Sequence, residues 1–212
     1  MKITQIKVIT LSLLLLVALT GGVAASAQIT PAWTAGTVGA TNWNASQVDL
    51  GDEFTSNITG TVDALGIYAG NNASYVNPET VGLYNSSGTL LTSVVVTDTD
   101  LLSNGYYWAA PLTPASVVAG QDYTVVDYTN GNGWAYGTVN NNWATFNYDD
   151  YAYTNGLVYT STQHGSGPAY LGPNVSVPEG GATLLYLLLA GGACFGAMFL
   201  VPRNRFANLA SA

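Results

Sequence analysis

The central part of the chain, residues 28–176, consists of short segments rich in Val, Thr, Tyr and Ile that are separated by clusters of Gly, Asn and Ser. Strands favour the first group of residues and turns favour the second. No window in this region holds the 3.6-residue period of an amphipathic helix. The pattern therefore predicts an all-β domain, an antiparallel β-sandwich of jelly-roll-like form.

The pattern allows a series of short strands to be placed along the domain, including a segment around Phe54. Its clearest hairpin signal is Ser86-Ser87-Gly88, which lies between two apolar segments. The other predicted strands are 61–68, 80–85, 90–96, 106–110, 121–128, 133–139, 143–148 and 157–160.

The N-terminus has the three parts of a secretory signal peptide. Two lysines form a basic start, Val8 to Leu19 is an apolar run, and Ala25-Ser26-Ala27 is a cleavage site of the A-x-A type. The apolar run is shorter than the roughly 20 residues that a membrane-spanning helix needs. We therefore expect residues 1–27 to be removed and the mature chain to begin at Gln28.

A second apolar run, residues 182–201, is 20 residues long and contains no charge. This length suits the hydrocarbon core of a bilayer. Arg203 and Arg205 follow it, and the positive-inside rule places them in the cytoplasm. We expect the central domain to be exported and residues 177–212 to hold it at the membrane through one transmembrane helix.

The residues before this helix are Val177, Pro178, Glu179, Gly180 and Gly181. The motif, the apolar run and the basic residues after it resemble the PEP-CTERM class of sorting signals in its Val-Pro-Glu-Gly-Gly form. The chain departs from the commonest form at Gly180, where a second proline often stands, and at Pro202, which interrupts the basic cluster. The resemblance implies a bacterial protein and an inner-membrane-anchored precursor. It also implies an exosortase-like processing enzyme that transfers the chain to the cell surface or the extracellular space.

Four motifs between Gly51 and Tyr136 resemble a domain of unknown function that occurs in other exported bacterial proteins. They are Leu65-Gly66-Ile67-Tyr68, Val81-Gly82-Leu83-Tyr84, Gly88-Thr89-Leu90-Leu91 and Ala119-Gly120-Gln121-Asp122-Tyr123. The resemblance implies a β-sandwich and carries over no catalytic residue.

The central domain contains eleven carboxylates and no lysine or arginine, so its formal charge is about −11. Nucleic acids and anionic membrane surfaces require cationic binding surfaces, and we expect neither as a partner of this domain. The only cysteine, Cys194, lies in the C-terminal apolar run. The exported domain therefore has no disulfide, although its compartment would permit one.

The sequence offers little catalytic or metal-binding chemistry. His164 is the only histidine, and its Gly- and Ser-rich surroundings predict a solvated loop rather than a Ser-His-Asp device. With one histidine and one cysteine, the chain has too few ligands for a Cys/His metal site. Calcium is left open, with solvated turn residues as the alternative reading of the same acids. The calcium candidates are Asp98 and Asp100, Asp149 and Asp150, and the group Asp49, Asp52 and Glu53. We expect a non-enzymatic protein without a cofactor.

Aromatic residues crowd the second half of the domain and alternate with asparagine. Aromatic faces and amide side chains together suit sugar rings, whereas packing between strands accounts for the same residues as core. Our candidate sugar-binding residues are Trp134, Trp143 and Tyr148. We expect the segment Asn140-Asn141-Asn142-Trp143 to lie on an exposed loop.

These observations lead to two functional hypotheses. The first is a non-enzymatic cell-surface or extracellular-matrix protein that associates with exopolysaccharide. The second is a carbohydrate-binding β-sandwich with a defined sugar site, for which dependence on calcium is left open. A secreted hydrolase is a third and weaker alternative, because the domain contains only two glutamates for a carboxylate pair.

Overall fold

The computed structural model describes residues 29–42, 47–70, 77–129, 131–160, 162–165 and 169–178. Several predicted features lie outside these described residues: the signal peptide, residues 179–181 of the predicted sorting motif, the C-terminal apolar run, and Arg203 and Arg205. Within the described part of the chain, no helix has the length and apolar character needed to cross a membrane.

The described residues form sixteen β-strands, and every strand pairing is antiparallel. This confirms the prediction of an antiparallel all-β domain. The strands are β1 (Ile29–Pro31), β2 (Trp33–Asn42), β3 (Asp49–Ser56), β4 (Gly60–Val62), β5 (Ala64–Tyr68), β6 (Glu79–Asn85), β7 (Leu90–Val96), β8 (Leu101–Ser103), β9 (Tyr106–Ala109), β10 (Ala115–Val117), β11 (Asp122–Tyr128), β12 (Trp134–Asn141), β13 (Ala144–Ala152), β14 (Thr162–Gly165), β15 (Ala169–Tyr170) and β16 (Pro173–Pro178).

Two large sheets form the layers of a β-sandwich. The six-stranded sheet has the order β14-β13-β3-β11-β6-β7, and the five-stranded sheet has the order β1-β16-β5-β9-β8. A three-stranded sheet, β15-β12-β2, and a two-stranded sheet, β10-β4, complete the fold. Apolar side chains from the two large sheets meet in one core, as expected for stacked sheets.

The core draws on both large sheets. The six-stranded sheet contributes Phe54, Leu83 and Val125, and the five-stranded sheet contributes Leu65 and Val175. All five side chains are fully buried. Each stabilises the fold by roughly 1.5–3 kcal/mol relative to an exposed position. This core fixes which face of the six-stranded sheet is the inner one.

The last strand, β16, extends into the predicted sorting motif. Val177 pairs with Thr30 and is buried in the core, and Pro178 pairs with Ile29 and is exposed. Val177, the first residue of the predicted motif, is therefore part of the folded sheet.

Residues 153–160 cross the outer face of the six-stranded sheet, and we call them the covering segment. Two glycines make room for it. A Cβ atom at Gly51 would overlap Thr160 Oγ1, and one at Gly82 would stand 2.7 Å from Leu157 Cδ2. The prediction of a strand in the second half of this segment is wrong, because its β-prone side chains cover a sheet instead of extending one.

Candidate functional site

A cleft of about 170 Å³ opens where the three-stranded sheet meets strands β3 and β13. We call it the aromatic cleft, because five of its seven lining residues are aromatic. The lining residues are Val48, Leu50, Trp134, Tyr136, Tyr151, Tyr153 and Tyr170.

Strand register brings these side chains together. Trp134 and Tyr136 are two residues apart on β12 and therefore point to the same side of it. Tyr136 lies opposite Tyr170 on β15, and the centroids of the two rings are 4.9 Å apart. Tyr151 on β13 lies opposite Leu50 on β3. The walls of the cleft are thus held by two strand pairings.

Tyr153 forms the exposed rim of the cleft. Its side chain is 74% exposed, and its ring centroid lies 5.6 Å from that of Tyr151 in an edge-on arrangement. A second hollow beside Tyr153 is lined by Gln47, Thr154 and Asn155. The rim therefore presents an aromatic face next to amide and hydroxyl groups.

Strands β3 and β13 place carboxylates on both faces of the six-stranded sheet. Asp52 lies opposite Asp149 on the inner face, and Asp150 lies opposite Gly51 on the outer face. Each of the three aspartates is no more than 2% exposed. Neither carboxylate oxygen of Asp52 has a hydrogen-bond partner. No lysine or arginine is present in the domain to offset these charges.

The pKa values of these carboxyls are raised because burial disfavours the charged form. Burial, followed by the charge of Asp149, raises the pKa of Asp52 well above its ordinary value. Burial, followed by the charge of Glu53, raises the pKa of Asp150 to about 7. Carboxyls in this environment take up protons more readily than exposed ones.

A third set of acids lies between β6 and β11. Asp127 and Glu79 are both buried and share a hydrogen bond, and Asn132 Nδ2 donates to Glu79 Oε1 at 2.6 Å. Burial is the main cause that raises the pKa of Asp127 to about 7. The pKa of Glu79 is also raised well above its ordinary value, by burial and then by the charge of Asp127.

Residues 34–178 match the family described as "Domain of unknown function (DUF4082)". The chain belongs to the DUF4082 family. The match runs from β2 to the end of β16 and includes both the aromatic cleft and the buried carboxylates. It confirms the resemblance to a domain of unknown function that four sequence motifs indicated. No curated protein matches the chain.

Of the three predicted sugar-binding residues, the DUF4082 domain places only Trp134 in the aromatic cleft. Residues 140–142 are exposed, as expected, but the expectation is wrong for Trp143, which is buried although it lies in the turn between β12 and β13. Its indole packs edge-on against Phe54 at a centroid distance of 5.9 Å, and its Nε1 donates to the carbonyl oxygen of Thr30 at 2.9 Å. Tyr148 lies on β13, and its hydroxyl donates to Glu53 Oε2.

Sequence reasoning missed part of the cleft of the DUF4082 domain. Tyr136, Tyr151 and Tyr153 belong to the aromatic-rich half of the sequence, but nothing local distinguished them from core residues. Leu50 and Tyr170 had no signal at all, because only the pairing of distant strands brings them to the same cleft.

The predicted calcium ligands do not converge in pairs. Asp98 is exposed, and Asp100 caps its own turn by accepting hydrogen bonds from the backbone N–H and the hydroxyl of Thr97. Asp149 and Asp150 point to opposite faces of the sheet and cannot share one ion. Among the described residues, no three or more His, Cys, Asp or Glu side chains are grouped to hold a metal ion.

His164 lies on β14 of the DUF4082 domain, next to β13 at the edge of the six-stranded sheet. The prediction of a loop at this position is therefore wrong. The prediction rested on the surrounding Gly and Ser residues, which are typical of loops. Short edge strands also tolerate such residues, better than central strands do.

Proposed function

We propose that this chain is a non-enzymatic, exported surface protein whose DUF4082 domain binds polysaccharide in the aromatic cleft. The observation that carries the proposal is the combination of a Trp- and Tyr-lined cleft with an exposed aromatic rim at Tyr153. Pyranose rings stack their apolar C–H faces on aromatic rings, and their hydroxyls bond to amide and hydroxyl side chains. Both kinds of group are present at this rim.

The charge of the domain narrows the ligand class. A formal charge of about −11 without any lysine or arginine disfavours strongly anionic polysaccharides. A neutral exopolysaccharide suits the cleft better. The two hypotheses from the sequence then become one: a surface protein that is associated with exopolysaccharide through a defined sugar site.

Replacing Tyr153 with alanine should weaken polysaccharide binding about tenfold, because the rim would lose its stacking surface. Tyr153 is 74% exposed, so the fold should stay intact. Glycan-array screening followed by calorimetry with the best neutral oligosaccharide would measure the loss. Trp134→Ala, a second single variant in the cleft, should also weaken polysaccharide binding. Leu112→Ala, at a fully exposed position outside the cleft, is the control. Equal affinity of Tyr153→Ala and the parent protein would contradict a sugar site in this cleft.

The export and sorting route belongs to the same proposal. The N-terminal signal peptide would direct secretion, and the Val-Pro-Glu-Gly-Gly motif with its apolar helix would address the chain to an exosortase-like enzyme. The exposure of Pro178 beside the buried Val177 supports a processing site on the C-terminal side of Val177. The mature protein would then be displayed at the cell surface or released from it.

The surface-released protein is expected to begin at Gln28 and to end at Glu179 or later. Cleavage before Val177 would remove a buried residue from the sheet, whereas Pro178, the last residue of β16, is exposed. Intact-mass measurement of the protein from its native host would identify both ends. A mass that retains residues 182–201 would instead mean a stable type I membrane protein, and a C-terminus before Val177 would contradict the proposed processing site.

A further inference from the structure

Four oxygen-bearing side chains surround Gly51 on the outer face of the six-stranded sheet. Asp150 lies opposite Gly51 on β13, and Glu53 lies two residues along β3 on the same face. Thr124 on β11 lies opposite Glu53, and its methyl carbon Cγ2 is 3.2 Å from the position of a Cβ atom at Gly51. Thr160 of the covering segment sits directly on Gly51, where a Cβ atom would overlap its Oγ1. We call Glu53, Thr124, Asp150 and Thr160 the Gly51 cluster.

Three oxygens of the Gly51 cluster are buried without a hydrogen-bond partner. They are Asp150 Oδ1, Thr124 Oγ1 and Thr160 Oγ1, and their residues are 2%, 1% and 0% exposed. Burial of an unpartnered polar atom is costly, and three of them around one glycine are not accounted for by packing alone. Glu53 differs from them, because it accepts hydrogen bonds from Tyr148 and Asn147.

We propose that the Gly51 cluster is a Ca²⁺ site in which the carboxylates of Glu53 and Asp150 and the hydroxyls of Thr124 and Thr160 supply oxygen ligands. Calcium takes six to eight oxygen ligands in flexible geometry and accepts hydroxyl, carbonyl and water oxygens beside carboxylates. Two carboxylates would neutralise its charge. The domain contains no lysine or arginine that could neutralise these two carboxylates instead.

The covering segment gives the proposed site a structural role. Thr160 is its last residue, and Asp49 on β3 accepts hydrogen bonds from Thr154 Oγ1 and the Val158 N–H of the same segment. An ion held by Thr160 and by two strands would fasten the segment to the sheet at its C-terminal end. Since Tyr153 at the other end forms the rim of the aromatic cleft, calcium would also steady the sugar-binding surface. This last consequence rests on the proposed function, whereas the ion site does not.

The inner carboxylates are a weaker candidate for the same ion. The oxygens of Asp52 on the inner face have no hydrogen-bond partner, but the Tyr106 hydroxyl near them is hydrogen-bonded to Asn174 and to Trp33. The indole N–H of Trp33 cannot serve as a ligand, whereas every unpartnered atom of the Gly51 cluster is an oxygen with free lone pairs.

The test is a calcium titration of the EDTA-treated protein, followed by calorimetry and by the thermal unfolding midpoint. Calcium should bind at one site and raise the midpoint by several degrees, because it binds only the folded state. Asp150→Asn and Thr160→Val keep the shape of the side chains and remove a ligand, so each should weaken calcium binding at least tenfold. Asp98→Asn and Thr61→Val, at exposed positions, are the matched controls and should bind as the parent does.

Thr160→Val distinguishes an ion from bound water. If the hydroxyl is a calcium ligand, the variant should match the parent or exceed it in EDTA and lose the calcium-dependent gain. If the hydroxyl only bonds to water, the variant should lose stability equally with and without calcium, and this result would overturn the proposal. An unchanged midpoint on adding calcium to the parent would do the same, as would undiminished binding in both ligand variants. Sugar binding by a protein that ignores calcium would leave the proposed function standing.

Discussion

Replacing Trp143 with alanine is expected to lower the free energy of unfolding by about 3–5 kcal/mol, the usual cost of truncating a buried tryptophan. Trp143 is 7% exposed and packs against Phe54 at the centre of the core. Its indole N–H also donates to Thr30 in β1, an edge strand of the five-stranded sheet. The substitution would therefore open a cavity in the core and also remove the hydrogen bond to β1. A loss of this size is a large part of the roughly 5–15 kcal/mol that stabilises a typical domain.

Urea unfolding followed by circular dichroism would measure the effect of Trp143→Ala. Trp143→Phe keeps most of the ring and loses the N–H donor, so it should cost less, roughly 1–2 kcal/mol. Leu112→Ala, at a fully exposed position, should be neutral. If Trp143→Ala changed stability by less than about 1 kcal/mol, the placement of this indole in the core would be wrong.

The second large effect concerns pH. The protein, kept in EDTA, is expected to lose stability as the pH rises from about 4 to above 7, the reverse of ordinary acid denaturation. Burial raises the pKa of Asp127 from 3.8 to about 7 and also raises that of Glu79. These two carboxyls therefore stay protonated in the folded state at pH values at which the unfolded chain, where their pKa values are lower, has already released the protons. Their contribution is fully present below about pH 4 and is lost as the pH passes through about 7.

One carboxyl whose pKa moves from 3.8 to about 7 contributes on the order of 4 kcal/mol across this range. Thermal midpoints measured at intervals between pH 4 and 8 would show the loss. Asp127→Asn preserves the shape of the side chain and cannot ionise, so its midpoint should depend less on pH than that of the parent. Asp98→Asn, in an exposed turn, should follow the parent curve. A midpoint that rises between pH 4 and 7 would contradict the prediction.

The fold class could be predicted from the sequence because its signals are local. Alternating β-prone residues and turn residues such as Ser86-Ser87-Gly88 act over a few positions, and the hairpin β6–β7 lies where they indicate. The absence of lysine and arginine was equally visible, and it already implied that no carboxylate can pair with a lysine or an arginine of the same domain. The strand pairings between distant segments, such as β3 with β13, carry no such local signal.

The candidate site depended on those distant pairings. Alternation along a strand divides its side chains between two faces, but it does not say which faces are covered. Here the covering segment buries the outer face of the six-stranded sheet, so Asp150 is as buried there as Asp149 is on the inner face. Burial by distant parts of the chain likewise distinguishes Trp143 from Trp134. The sequence by itself determined an all-β, acidic domain rich in aromatic residues. Only tertiary packing decided that Trp143 belongs to the core and Trp134 to the cleft, because burial is set by what lies across from a side chain.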